Sequence, residues 1–118
     1  PLAGVDLRVE NITFSSAKSW DRNGAGVRHE GRNLTVVNCR FIGNEDGILS
    51  TGDNDGVITI ERTLFRENGF GDGQSHGIYV DGAALVDVRD SKFVSTKIGH
   101  HLKSLSRKTV VRGTTVDD

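Results

Sequence analysis

One eight-residue phrase returns five times along the chain: LRVENITF (7–14), LTVVNCRF (34–41), ITIERTLF (58–65), VDVRDSKF (86–93) and TVVRGTTV (109–116). A repeat of roughly 25 residues is too short to enclose a core of its own, so each copy must bury its apolar face against the next. This restricts the chain to an array in which like stacks on like.

The columns of the phrase say how the array is built. Its first column reads Leu7, Leu34, Ile58, Val86, Thr109, and its third Val9, Val36, Ile60, Val88, Val111. The residues between them, Arg8, Thr35, Thr59, Asp87 and Val110, tolerate exposure. Alternation with a period of two and β-branched enrichment predicts a short strand with one face inward. The fifth column, Asn11, Asn38, Arg62, Asp90 and Gly113, is dominated by residues that accept left-handed backbone angles, so a bend is expected there. Small or medium side chains follow at Ile12, Cys39, Thr63, Ser91 and Thr114. The eighth column stacks Phe14, Phe41, Phe65 and Phe93 in register, with Val116 in the last copy.

A second phrase lies between the first: GVRHEG (26–31), GILSTG (47–52), GIYVDG (77–82) and GHHLKS (99–104). Aligned on the leading glycines, it places Val27, Ile48, Ile78 and His100 on one inward column and His29, Ser50, Val80 and Leu102 on another. His100 fits poorly, which requires either a register shift at IGHHL or a buried imidazole. No segment shows a 3.6-residue apolar period. The expected fold is therefore all-β, a coiled parallel sheet of about five turns with rungs roughly 4.8 Å apart. A leucine-rich repeat is disfavoured because its Leu-x-x-Leu-x-Leu pattern is missing. Extra residues at 15–25 and 66–76 are expected to bulge from the side as loops.

With these columns in hand, the chain resembles the right-handed parallel β-helix repeat proteins of the pectate-lyase-like superfamily. The resemblance rests on the bends before each Phe, NGAG (23–26), EDGI (45–48), SHGIYV (75–80) and IGHHLKS (98–104), and it spans essentially the whole chain. It implies a bacterial β-helix and a secreted or cell-envelope location. It also implies a polysaccharide ligand, although the superfamily hosts lyases, hydrolases, epimerases and adhesive modules on one fold. An open-ended solenoid exposes a sheet edge and its lumen, and neither end here offers an obvious cap. Residues 1–118 are therefore expected to be one stretch of a longer β-helix domain.

Composition narrows the partners. A net charge of −1 supplies no global attraction to nucleic acid. No apolar run approaches the roughly 20 residues that span a bilayer. The single Cys39 cannot form a disulfide within the chain, and its column makes it a small buried hydrophobe. Charge is unevenly placed, however. Residues 97–112 carry Lys97, Lys103, Arg107, Lys108 and Arg112 with no acid, and 44–55 carry Glu45, Asp46, Asp53 and Asp55 with no base. A polyanionic ligand would favour the cationic end, Arg107 included.

The same glycine alignment gives outward columns Arg28, Leu49, Tyr79, His101 and Glu30, Thr51, Asp81, Lys103. In the enzymes of the superfamily a polysaccharide commonly lies along an outward sheet. Elimination or epimerisation at C5 of a uronate needs a cation for the carboxylate, a base, and an acid toward the leaving oxygen. Lys103 or Arg28 could neutralise, His101 could be the base and Tyr79 the acid, with Glu30, Asp81 and His76 beside them as binding residues. The same residues equally make an ordinary ladder with an Asp81–Lys103 ion pair. His76 could project into the groove or cap a bend, and His29 falls on the inward parity as a buried, hydrogen-bonded residue. Glu30 and Asp81, two turns and about 9.6 Å apart, sit at the outer limit for an inverting hydrolase, so hydrolysis ranks below lyase or epimerase chemistry. No metal-spaced His/Cys set and no cofactor motif is present. DNDG (53–56) resembles part of a calcium loop but lacks the rest of that pattern. NITF and NLTV carry the glycosylation pattern at Asn11 and Asn33, which read most simply as turn residues.

Overall fold

A computed structural model describes residues 6–17, 24–51, 54–69, 76–94 and 102–117, and among them all regular structure is β. The first turn comprises β1 (Leu7–Glu10), β2 (Thr13–Ser15) and β3 (Ala25–His29). The second comprises β4 (Leu34–Val37), β5 (Arg40–Ile42) and β6 (Asp46–Ser50). The third comprises β7 (Val57–Glu61), β8 (Leu64–Arg66) and β9 (Ile78–Val80). The fourth comprises β10 (Leu85–Arg89), β11 (Lys92–Val94) and β12 (Leu102–Ser104), and β13 (Lys108–Arg112) with β14 (Thr115–Asp117) begins a fifth. Every third strand pairs in parallel, giving a first sheet β1-β4-β7-β10-β13, a second β2-β5-β8-β11-β14 and a third β3-β6-β9-β12. The expected five turns are thus five rungs in two sheets and four in the third.

The columns of the repeated phrase are the registers of the sheets. Leu7, Leu34, Ile58, Val86 and Thr109 are successive partners, as are Val9, Val36, Ile60, Val88 and Val111. Strand β7 alternates half-buried and buried residues, with Ile58 and Ile60 inside. Fully burying one such side chain is worth about 1.5–3 kcal/mol, and the lumen holds a continuous set from Val27 to Phe93.

Between the first two sheets the chain turns on a single residue. Asn11, Asn38, Arg62, Asp90 and Gly113 have φ of 58°, 53°, 49°, 50° and 55°. One left-handed residue swings the strand through the corner while its N–H still reaches the next rung, as Asn38 does to the Glu61 carbonyl at 2.9 Å. The residue after the bend closes the corner from inside. The hydroxyls of Thr63 and Ser91 donate to the carbonyls of Glu61 and Arg89 and accept the backbone N–H of Cys39 and Thr63 in the rung before. Cys39 is buried in this column, and its Sγ donates to the Val37 carbonyl.

Phe14, Phe41, Phe65 and Phe93 stack face to face with centroids 4.9, 5.0 and 4.7 Å apart and planes within 12°. Strand spacing dictates this: identical rings on adjacent parallel strands have the inter-strand distance as their separation. A second left-handed bend follows at Ser16, Gly43 and Glu67. Behind it lies a ladder not foreseen from the sequence. Asn68 is fully buried, donates to the Phe41 carbonyl at 2.8 Å, and accepts both the backbone and the side-chain N–H of Asn44. Asn44 in turn donates to the Phe14 carbonyl and accepts from Ala17 N–H.

Candidate functional site

The third sheet carries Arg28, Tyr79 and Lys103 of the residues on which chemistry was expected, and the Gly-led phrase is folded by lack of space. A Cβ on Gly26 would lie 2.9 Å from the Phe14 and Phe41 side chains, and one on Gly47 would lie 2.4 Å from the Gly77 carbonyl oxygen. Glycine lets the chain pass the phenylalanine stack and enter the third sheet. Two acids anchor that passage: the Glu45 carboxylate accepts Gly24 N–H at 3.0 Å and the Asp46 carboxylate accepts His76 N–H at 2.6 Å. Both are buried, where charge-assisted bonds of this kind are strongest.

The outward column differs from the expected one. Arg28 partners Leu49 and Leu49 partners Tyr79, as expected, but the next residue up is Lys103 and not His101. Strand β12 is slipped by two residues, which pairs Leu102 with Ile78 and Ser104 with Val80. The slip puts Leu102 in the lumen column that glycine alignment gave to His100, and an apolar side chain there avoids burying an imidazole. The Asp81–Lys103 pairing is lost as well: Asp81 is exposed, and the next-rung N–H beside it belongs to Leu105, bonded to the Val80 carbonyl. His100 and His101 lie outside the described residues, as do the loop segments 18–23 and 70–75.

Around Tyr79 the geometry is compact. The Lys103 ammonium lies 5.3 Å from the ring centroid, and the His76 ring meets it edge-on at 5.5 Å. A cation in that position gains about 0.5–1 kcal/mol at a partly exposed site. His76 is only 1 % exposed, so its ring does not project into solvent; it is packed behind Tyr79 at the bend that enters β9. Leu49, though outward, is also buried and stands apart from the lumen cluster. Arg28 pairs with Glu30 at 3.2 Å on the exposed surface, an interaction worth well under about 1 kcal/mol.

His29 faces inward as its parity requires, with Nδ1 2.9 Å from the Ser50 hydroxyl. Burial lowers its pKa below 6.5 and outweighs the Asn33 backbone and Asp6, which pull it upward. The unfolded chain therefore binds more protons than the folded one as pH falls through 6.5, and stability must decline with acidification in that window. Urea unfolding at pH 7.5 and at lower pH should show a steeper loss in the native chain than in His29→Gln. Equal slopes would mean that His29 titrates no differently when folded.

The two oppositely charged segments meet. Arg107 donates to the Asn54 carbonyl at 2.7 Å and to the Asp55 carboxylate within DNDG. The Asp55 carboxylate of DNDG is thus paired with a guanidinium on the exposed surface, and Asp53 lies outside the described residues. Among the described residues no three His, Cys, Asp or Glu side chains gather as metal ligands. Asn33 behaves as a turn residue, accepting Val57 N–H and donating to Asp6.

Parallel triangular coiling, left-handed bends at two columns and a lumen of aligned apolar ladders define the architecture. A family model described as right-handed beta helix region matches residues 2–116. The chain belongs to the right-handed β-helix family. No curated protein and no solved structure matches it. What the β-helix assignment secures is the scaffold; the chemistry of its outer faces must be argued from the side chains. Sequence reasoning missed the buried role of His76 and the Asn44–Asn68 ladder, for which the Phe-x-x-Asn spacing in FIGN (41–44) and FREN (65–68) was the available signal.

Proposed function

We propose that this β-helix segment is a carbohydrate module that holds an acidic polysaccharide against the outer face of its third sheet. The observation carrying the reading is the column Arg28, Leu49, Tyr79, Lys103 on four successive rungs, which leaves a cation, an aromatic ring and a second cation accessible around a buried leucine. Rungs about 4.8 Å apart present these groups in a line along the axis, so one extended glycan can meet Arg28, Tyr79 and Lys103. Lys103 and Arg28 neutralise carboxylates, while Tyr79 faces a sugar ring.

Catalysis on that face would be lyase or C5-epimerase chemistry. In elimination a base takes the C5 proton, the C4–O bond breaks as the C4=C5 double bond forms, and the departing oxygen takes a proton from an acid. Epimerisation returns a proton to the opposite face of C5. Lys103 beside Tyr79 supports a cation and a phenolic acid at one sugar; the base expected from the sequence, His101, lies outside the described residues. The alternative, a structural or adhesion scaffold, is favoured by two facts: Arg28 is already paired with Glu30, and Tyr79 is flanked by His76 and Lys103.

Affinity electrophoresis in gels containing polygalacturonate or alginate decides between them. Tyr79→Ala and Lys103→Gln should each weaken retention about tenfold or more with little change in melting temperature. Ultraviolet absorbance of unsaturated uronates, abolished in His101→Ala, would mark a lyase, and proton exchange at C5 an epimerase. Native-like retention by both variants would leave the scaffold reading standing.

A further inference from the structure

A second candidate surface lies at the corner between the first and second sheets, away from the third. There the left-handed bends leave an open groove of about 480 Å³ that runs along the axis over four rungs. Its walls are the bend column, Asn38, Arg62, Asp90 and Gly113, and the column two residues later, Arg40, Leu64, Lys92 and Thr115. The floor is the column of Cys39, Thr63 and Ser91, whose donors already serve backbone carbonyls. Recognition must therefore come from the walls.

Those walls are cationic on three successive rungs. Arg40, Arg62 and Lys92 are all exposed, and they stand on the second, third and fourth rungs, at alternate sides of the groove. Among the described residues the side chains of Arg40 and Lys92 take no partner, whereas Arg62 between them is paired with Glu61. The first sheet behaves differently: Arg89 and Arg112 are spent on Glu61 and Asp87 in a connected network. Asp90, the one acid of the lining, leans toward the fifth rung, its Oδ1 filling the space where a Cβ on Gly113 would stand. Its carboxylate thus points onward along the groove, away from Arg40.

We infer that this corner groove is a second binding site, for a linear anionic glycan lying along the axis with its acid groups on Arg40 and Lys92. The inference takes its ligand class from the proposed function but not its location. A carboxylated glycan is favoured over single-stranded nucleic acid because the lining contains no aromatic side chain on which a base could stack. Arg40 and Lys92 are two rungs, about 9.6 Å, apart, so an extended polymer meets an unpaired cation at every second rung, with the Arg62–Glu61 pair between them.

The test uses polygalacturonate as probe and compares three double variants by affinity electrophoresis and calorimetry. Arg40→Gln/Lys92→Gln should weaken binding about tenfold with an unchanged melting temperature. Arg32→Gln/Arg66→Gln removes the same charge from exposed positions outside the groove and should bind like the native chain; equal loss in that control would reduce the effect to net charge and overturn the inference. Tyr79→Ala/Lys103→Gln separates the two faces. Loss there with none in Arg40→Gln/Lys92→Gln would uphold the third-sheet reading and overturn this one, and the reverse pattern would uphold the groove and sink the third sheet. Displacement of polygalacturonate by a single-stranded oligonucleotide at equal charge concentration would also overturn the inference.

Discussion

Replacing Phe65 with alanine should destabilise the protein by about 3–5 kcal/mol, the range for deleting a fully buried aromatic ring. The ring is completely enclosed, stacked on Phe41 on one side and Phe93 on the other. Its edge also touches the ground above Gly47, where a Cβ would meet Phe65 Cδ1 at 3.0 Å. Truncation strips contact from both neighbouring rings, and the fixed inter-strand distance prevents them from closing the gap. Phe14 stands at the end of the same stack and is only half-buried, so Phe14→Ala should cost distinctly less. Urea denaturation of the two variants measures the difference. Equal costs would show that stacking on both faces is not what gives the central rings their weight.

Asn68→Ala should cost about 2–4 kcal/mol, because a buried group left without its partner loses its full desolvation energy. Removing this amide strands the Phe41 carbonyl and both the backbone and side-chain N–H of Asn44. Asn68→Asp keeps one acceptor toward Asn44 but turns an oxygen toward the Phe41 carbonyl, so it should be no better than alanine at neutral pH. Thermal or chemical unfolding reads both. A variant within a few tenths of a kcal/mol of the native chain would mean that water replaces the amide, and that the ladder only decorates the bend.

Most of the scaffold was readable in the sequence because the repeat forces it to be. The Leu–Val–Phe columns can bury themselves only by stacking, and Asn38 or Gly113 at the fifth column can adopt a left-handed angle cheaply enough to mark the corner. Arg62 shows that the backbone imposes this angle even where the side chain does not favour it. The third sheet was harder. Side chains on a strand alternate with period two, so a slip of two residues leaves every inward residue inward. Alternation was blind to the difference between His101 and Lys103 beside Tyr79, and the glycine used for alignment, Gly99, was the wrong anchor. Only Leu102, a better lumen neighbour for Ile78 than His100, carried the correction. The corner groove was not legible at all, since it depends on which side of a left-handed bend is hollow.

The identical height of every rung has a consequence for how such a protein can change. An outward side chain occupies a mark on a ruler graduated in strand spacings, and its neighbours above and below are set by register alone. Arg40, Leu64 and Lys92 can each be rewritten without disturbing Phe41, Phe65 or Phe93 one residue away, because the two sets face opposite sides of the same strands. A whole coil can be duplicated or deleted and the remaining marks still line up, whereas one residue added within a strand would turn the lumen outward. Surface chemistry on this fold is thus editable line by line, while its length changes only by whole turns.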